Sequence, residues 1–370
     1  MNYKIKLVII SILTLLFFAD NLSSKQLYPI AVNDKVGYID STGKIIITPQ
    51  FETIIQYYEL PYKDKKIKAV SFPINSYFSE GLATQRNADY FWFIPLRYHF
   101  IIIDEDGKVI LPDSDTEIGS FHEGFAPLRM PKKHFQYVYD NYYGYINKKF
   151  DIAIEPKYKW AGRFKEELAL VFDGKLFGFT DKKDSLAIPI KFKDAYHFSE
   201  GLALVSTDKL FGFIDKTGNF AIPEQFTKAW SFNDGLARVL SNNKYLFIDK
   251  KGNKAISREF EFASDFSEGL AKIFQDGFYG FIDKSGLIAI PAQFNNANDF
   301  KDGLSAVEVN GKWGFIDKNG IFVISPKYDY ANNFNGPLAE VWIENQMWYI
   351  NKNEEKVSKV FWSEKTFLWW

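Results

Sequence analysis

The sequence predicts an all-β protein of about nine tandem repeats, each a three-stranded β-meander of about 34 residues, stacked into an open twisted β-array. Three observations lead there. First, an aromatic-Gly-aromatic-Ile-Asp motif recurs with its isoleucine position at Ile146, Thr180, Ile214, Ile248, Ile282, Ile316 and Ile350, each 34 residues after the last. Second, aromatic residues make up 18% of the 370-residue chain, with Phe 37 and Tyr 21, while glycines fall at regular places. That is a composition suited to pleated, half-buried strands. Third, each unit carries short runs of β-formers bounded by turn residues.

The chain opens on Lys4 and Lys6, followed by an apolar run from Leu7 to Ala19. That run is short for a bilayer span and matches the core of a secretory signal, so residues 1–24 are read as a signal peptide, with an uncleaved anchor as the rival. Residues 25–370 then form the repeat domain. Cysteine is absent. This excludes thiol nucleophiles, disulfides, cysteine zinc sites and lipidation at cysteine. An exported chain without cysteine points to a bacterial envelope: periplasm, cell surface or medium.

The unit around Ile214 shows the elements in order. Strands are expected at Leu202 to Ser206, Leu210 to Asp215 and Asn219 to Ile222. Asp215-Lys-Thr-Gly218 is a hairpin signal, a type I turn whose glycine takes a positive φ. Phe150, Asp184 and Glu354 replace that glycine in three units; Phe150 tolerates the left-handed region poorly, so a longer or different turn is expected there. A phenylalanine precedes the first strand at Phe78, Phe121, Phe164, Phe198, Phe232, Phe266, Phe300 and Phe334. Rings repeated so strictly are expected to form a core shared between neighbours, because one meander cannot bury its own apolar face. Gly37, Gly144, Gly178, Gly212, Gly280 and Gly314 interrupt the second strand, and an aromatic ring from a neighbour is expected to cover them. Prolines such as Pro189, Pro223 and Pro291 are expected to end the third strand.

These signatures, Phe-x-Glu/Asp-Gly-Leu-Ala, then Gly-Lys-Trp-Gly-Phe-Ile-Asp-Lys-x-Gly at Gly311 to Gly320, then Ile-x-Pro-x-Tyr, resemble the WG/KWG repeat family of bacterial proteins. Only Trp313 supplies the name-giving tryptophan; Tyr143, Phe177, Phe211 and Tyr279 stand there elsewhere. The resemblance implies a β-repeat scaffold and no settled activity. Units centre on Ile39, Ile103, Ile146, Thr180, Ile214, Ile248, Ile282, Ile316 and Ile350. Their order shows no displaced half-unit to close a circle, and nine exceeds the usual blade number of a propeller, which favours the open array over the alternative of a β-propeller-like ring.

Regularity breaks in the N-terminal third, with insertions at about 55–77, 84–100 and 127–143. The last two lengthen the same hairpin in adjacent units and should project side by side. Tyr90, Trp92, Tyr98, Arg129, Tyr137 and Tyr139 mark a possible binding surface there, since Tyr and Trp offer large contact area at low entropy cost. The competing reading has these rings packing on each other and extending the sheet. Lys+Arg 45 against Asp+Glu 46 gives a net charge of -1, which removes the basic footprint of a nucleic-acid binder. No hydrolase elbow, phosphate loop or metal helix occurs, and the four histidines, His99, His122, His134 and His197, show no ligand spacing. The sequence therefore reads as a non-catalytic, exported scaffold with no cofactor and no metal, binding an unknown protein or glycan. Alternatives are a carbohydrate-binding or envelope-attached module and, more remotely, a glycoside hydrolase with a dispersed site.

Overall fold

The computed structural model describes residues 26–32, 35–52, 56–62, 65–71, 78–91, 94–114, 116–135, 138–344 and 346–362, with side chains outside 52–77, 84–100, 112–115, 131–139 and 361–362. The segment read as a signal peptide lies outside the described residues.

Nine sheets of three or four strands, antiparallel except for a parallel pairing at the seam, follow one another and close into a nine-bladed β-propeller. The ring, the alternative at the level of sequence, replaces the open array. Blade five shows the construction. Its strands are Asp194–Ala195, Ala203–Ser206, Phe211–Ile214 and Phe220–Phe226, paired in that order. The first strand is the tail of the preceding 34-residue unit. Among the described residues, seven of the nine blades are completed in this way by a strand that the repeat count assigns to the preceding unit, and blade seven has an Ala263–Ile273 bridge in its place, so the offset needed for closure is built into these junctions. At the seam, Phe361–Trp362 from the last unit pairs with Tyr28–Val32, Ala31 facing Phe361 and Val32 facing Trp362. The Ala31 amide donates to the Val360 carbonyl at 2.9 Å.

The repeated phenylalanines are buried and stack across junctions. Tyr145–Phe164, Phe179–Phe198, Phe213–Phe232, Phe247–Phe266, Phe281–Phe300 and Phe315–Phe334 all meet with ring centroids 4.8 to 5.0 Å apart, tilted or edge-on. In each pair the first ring comes from one blade's third strand and the second from the next blade. Edge-to-face pairs of this kind add about 0.5–1.5 kcal/mol beyond the area they bury. Across the seam, Tyr28 fills the corresponding place against Tyr349, at 5.4 Å. Its hydroxyl donates to the Asn335 carbonyl at 2.8 Å, and the Tyr349 hydroxyl donates to the Pro29 carbonyl at 3.1 Å.

Three local expectations change. The strand glycine is covered by main chain, not by an aromatic ring: a Cβ on Gly212 would lie 2.7 Å from both the Glu224 nitrogen and the Ile222 oxygen. The fourth strand crosses over Gly212 in a bulge, so Phe211 pairs with Phe226 while Phe213 pairs with Ile222. Proline sits inside that bulge, where the ladder is already broken, and the strand Phe220–Phe226 runs on past Pro223. In blade six, where Leu246 replaces the glycine, the fourth strand is reduced to bridges from Tyr245 to Phe260 and from Ile248 to Lys254. Phe150, finally, keeps the ordinary turn at φ 63°, its ring set edge-on against Phe121 at 6.0 Å. The Phe150 amide still donates to the Asn147 carbonyl, and the Asn147 amide to the Asp151 carbonyl.

Candidate functional site

Antiparallel order gives the ring two unlike faces. Turns joining strands one to two and three to four of a blade lie at one end. Hairpins joining strands two to three, and the links between blades, lie at the other.

The turn face is tied together by carboxylates. Glu200 of blade five accepts the Gly235 amide of blade six at 3.0 Å and pairs with Lys250 of that blade at 3.2 Å. The same acid-to-next-turn bond joins Glu80 to Gly124, Glu123 to Glu166, Glu166 to Gly201, Asp234 to Gly269, Glu268 to Gly303 and Asp302 to Gly336. These acids occupy left-handed positions, φ 55° at Glu200, and each is followed by glycine except Glu166, which precedes Glu167, itself at φ 75°. Burial alone would raise the carboxyl of Glu80, but hydrogen bonds from Lys148 and the Gly124 amide outweigh it and hold the group below its usual range. These acids link one blade to the next, a role visible only once the neighbour is in place.

The opposite face carries the insertions. A hairpin of Gln56–Tyr62 and Lys65–Ser71 stands between blades one and two. Blade two follows with Leu82–Phe91 and Ile94–Asp104, blade three with Phe125–Phe135 and Val138–Asn147. The register sets Tyr90 opposite Pro95 and Tyr98 opposite Ala88 in the first long hairpin, and Tyr139 opposite Lys133 in the second. The side chains of Tyr90, Tyr98 and Tyr139, and all of Trp92 and Tyr137, lie outside what is described. Arg129 sits lower on its hairpin, its Nε 2.8 Å from Glu117 of the adjoining strand. Sequence reasoning read Arg129 with the hairpin tip; the structure spends its charge within the sheet.

A second polar series, missed from sequence, runs through the first two strands of successive blades. It occupies the residue before each repeated phenylalanine: Arg163, His197, Ser231, Asp265, Asp299 and Asn333. The signal was present in the alignment of units but was masked by the stronger Phe beside it. In blade six, Arg238 reaches forward to Asp265 at 3.0 Å and stacks on Trp230 at 3.9 Å. In blade seven, Lys272 donates to the Ala297 carbonyl at 2.7 Å, with Asp299 3.8 Å away. Burial lowers Lys272 and raises Asp265 from their ordinary values, and the opposite charges only partly offset it. Between blades four and five His197 packs against Gly162. Burial first, then the charges of Arg163 and Lys165, lower His197 to about 4, so its ring is neutral near pH 7.

Blade nine places Glu340 at the matching position. Its Oε2 accepts from Asn332 Nδ2 at 2.9 Å, and its Oε1 lies 3.4 Å from the Tyr349 hydroxyl. Burial raises this carboxyl above its usual range despite those two bonds. It borders a cavity of about 220 Å³ at the seam, lined by Tyr28, Asn332, Asn333, Asn335, Leu338 and Tyr349. Among the described residues no three His, Asp or Glu side chains converge as metal ligands would.

A ring of this construction, with a bonded turn face and a face of protruding hairpins, defines the molecule as a repeat β-propeller. The chain belongs to the family of the WG containing repeat, whose model matches residues 37–59, 143–176, 177–210, 211–245, 247–277, 279–313 and 313–345. Comparison with curated proteins gives no match. Among solved structures, the chain is similar to a crystal structure of the eukaryotic initiation factor, with TM-score 0.54 and 13% identity over 90% of this chain and 95% of that one. Hsv2p of Kluyveromyces lactis gives TM-score 0.38 at 11% identity, over 64% and 94% of the two chains. Apo AztD from Citrobacter koseri gives 0.37 at 12%, over 71% and 91%. At these identities the likeness is one of fold alone.

Proposed function

We propose that the protein is an exported, non-catalytic scaffold that binds a protein or glycan on the hairpin face of the ring. The observation that carries this is topological. Three lengthened hairpins, at 56–71, 82–104 and 125–147, fall at consecutive positions and at the same end of the blades. A propeller whose other blades keep short connections there gains a raised patch on one side. Insertions that cluster on one face of a repeat protein commonly form its binding surface. The aromatic content of 84–100 and 127–143 suits recognition by rigid rings.

The test compares the mature protein with a version in which residues 84–100 and 127–143 are each replaced by a short turn of the kind at Asn242 and Asn243. Envelope-extract pull-down and a glycan array should lose at least tenfold in retained signal, with the melting transition preserved. Unchanged capture by the shortened protein would remove the hairpins from the proposal. For export, fractionation should recover a chain starting near residue 25 outside the cytoplasm; recovery of the full-length chain in the cytosol would contradict it.

A further inference from the structure

At the equivalent position of strand two, charged side chains in this ring reach forward to a partner in the next blade. Arg238 finds Asp265, and Lys272 finds Asp299 at the same sequence spacing. Glu340 is the third charge in this series. The same spacing from Glu340 leads to Phe367, a residue without charge. Glu340 borders the seam cavity, and among the described residues no ion pair meets it.

The walls of that cavity are built for a polar guest. Asn332, Asn333 and Asn335 contribute amides, Tyr28 and Tyr349 aromatic rings, and Glu340 its carboxylate. Both ends of the Asn333 amide are already committed: its Nδ2 donates to the Asp299 carbonyl at 2.6 Å, and its Oδ1 accepts from the Ala306 amide at 3.1 Å. Lys301 Nζ is bound to Asn335 Oδ1 at 2.8 Å, and Lys352 Nζ to the Asp302 carbonyl at 2.7 Å, so neither lysine nitrogen is placed on Glu340. A part-buried carboxylate with one good donor, and with no cation paired to it among the described residues, is costly unless something supplies the missing charge. A cavity of about 150 Å³ holds benzene, so 220 Å³ admits a molecule only modestly larger.

We propose that the seam cavity binds a small ligand bearing a protonated amine, whose ammonium pairs with Glu340 while its body lies in the cavity beside the Tyr28–Tyr349 pair. This site is separate from the hairpin face and stands or falls without it. By bridging blade nine to blade one, such a ligand would also fasten the ring at its closure.

Isothermal titration of the mature protein with n-butylamine, putrescine and ethanolamine, each against the size-matched alcohol, tests this. The amines should bind at least tenfold more tightly than the alcohols, and the best should raise the melting temperature. Glu340→Gln, which keeps shape and removes charge, should abolish that preference. Equal affinity for butylamine and butanol in the unsubstituted protein would overturn the proposal, and so would no measurable amine binding at millimolar concentration. Full amine preference in a folded Glu340→Gln protein would do the same. Should that variant fail to fold, the amine-to-alcohol comparison decides alone.

Discussion

At the scale of single residues, the repeated phenylalanine is the organising element. Phe232 is 0% exposed and contacts Phe213 of the preceding blade, whereas Leu287, though equally apolar, is 68% exposed. Phe232→Ala is expected to cost about 3–5 kcal/mol, because it removes a large ring and leaves a cavity. Leu287→Ala should stay within about 0.5 kcal/mol. Urea denaturation of both variants checks the contrast; similar midpoints would mean that the inter-blade pair is not what holds neighbours together. These burials were legible in the sequence, since a fixed period and a large ring together leave few other roles. Gly212 was legible as a special position but its cause was not. Its neighbour is main chain brought back by a bulge, and a one-dimensional pattern of residue types carries no record of such a crossing.

Turns are the element where electrostatics matters most. Asp215 is held below its usual range first by the Thr217 hydroxyl, against slight desolvation, and then by the amides of Asn219 and Thr217. Asp40, Asp283 and Asp317 are lowered in the same kind of turn. A carboxyl lowered in the folded state contributes stability that is full above its unfolded value and is lost as pH falls through the folded one. His197 acts earlier in the same direction. The unfolded chain takes up its proton below about 6.5 while the folded ring resists until about 4, so stability falls across that interval. Urea midpoints should therefore decline from about pH 6.5 downward, first through His197 and then through the turn aspartates. His197→Gln should flatten the upper part of that decline, by on the order of 1–3 kcal/mol between pH 6.5 and pH 4, and leave the lower part. A profile unchanged by the substitution would show that His197 is not buried as neutral imidazole. The Asp-x-x-Gly turns were evident from spacing. The carboxylates reaching to the next blade were not, because one unit read alone does not show which neighbour its acid faces.

For the whole molecule the deciding feature is the offset between sequence unit and blade. Counting units from motif to motif gives the right number and the wrong end-state, since it hides that blades borrow a first strand from the preceding unit, as seven of the nine do among the described residues. Removal of residues 361–370 takes away the strand beside Tyr28–Val32 and leaves an open sheet edge. That truncation should broaden the urea transition, enlarge the radius of gyration seen by small-angle scattering, and promote concentration-dependent association in size-exclusion chromatography. A compact monomer with an unaltered transition would show that the seam contributes little to closure. The bonded turn acids point the same way around the circle from Glu80 to Asp302, every link made by parts that recur. Closure divides one full turn among the junctions, so gain or loss of a 34-residue module would have to be absorbed as a small change of angle at every one of them, giving a wider or narrower wheel.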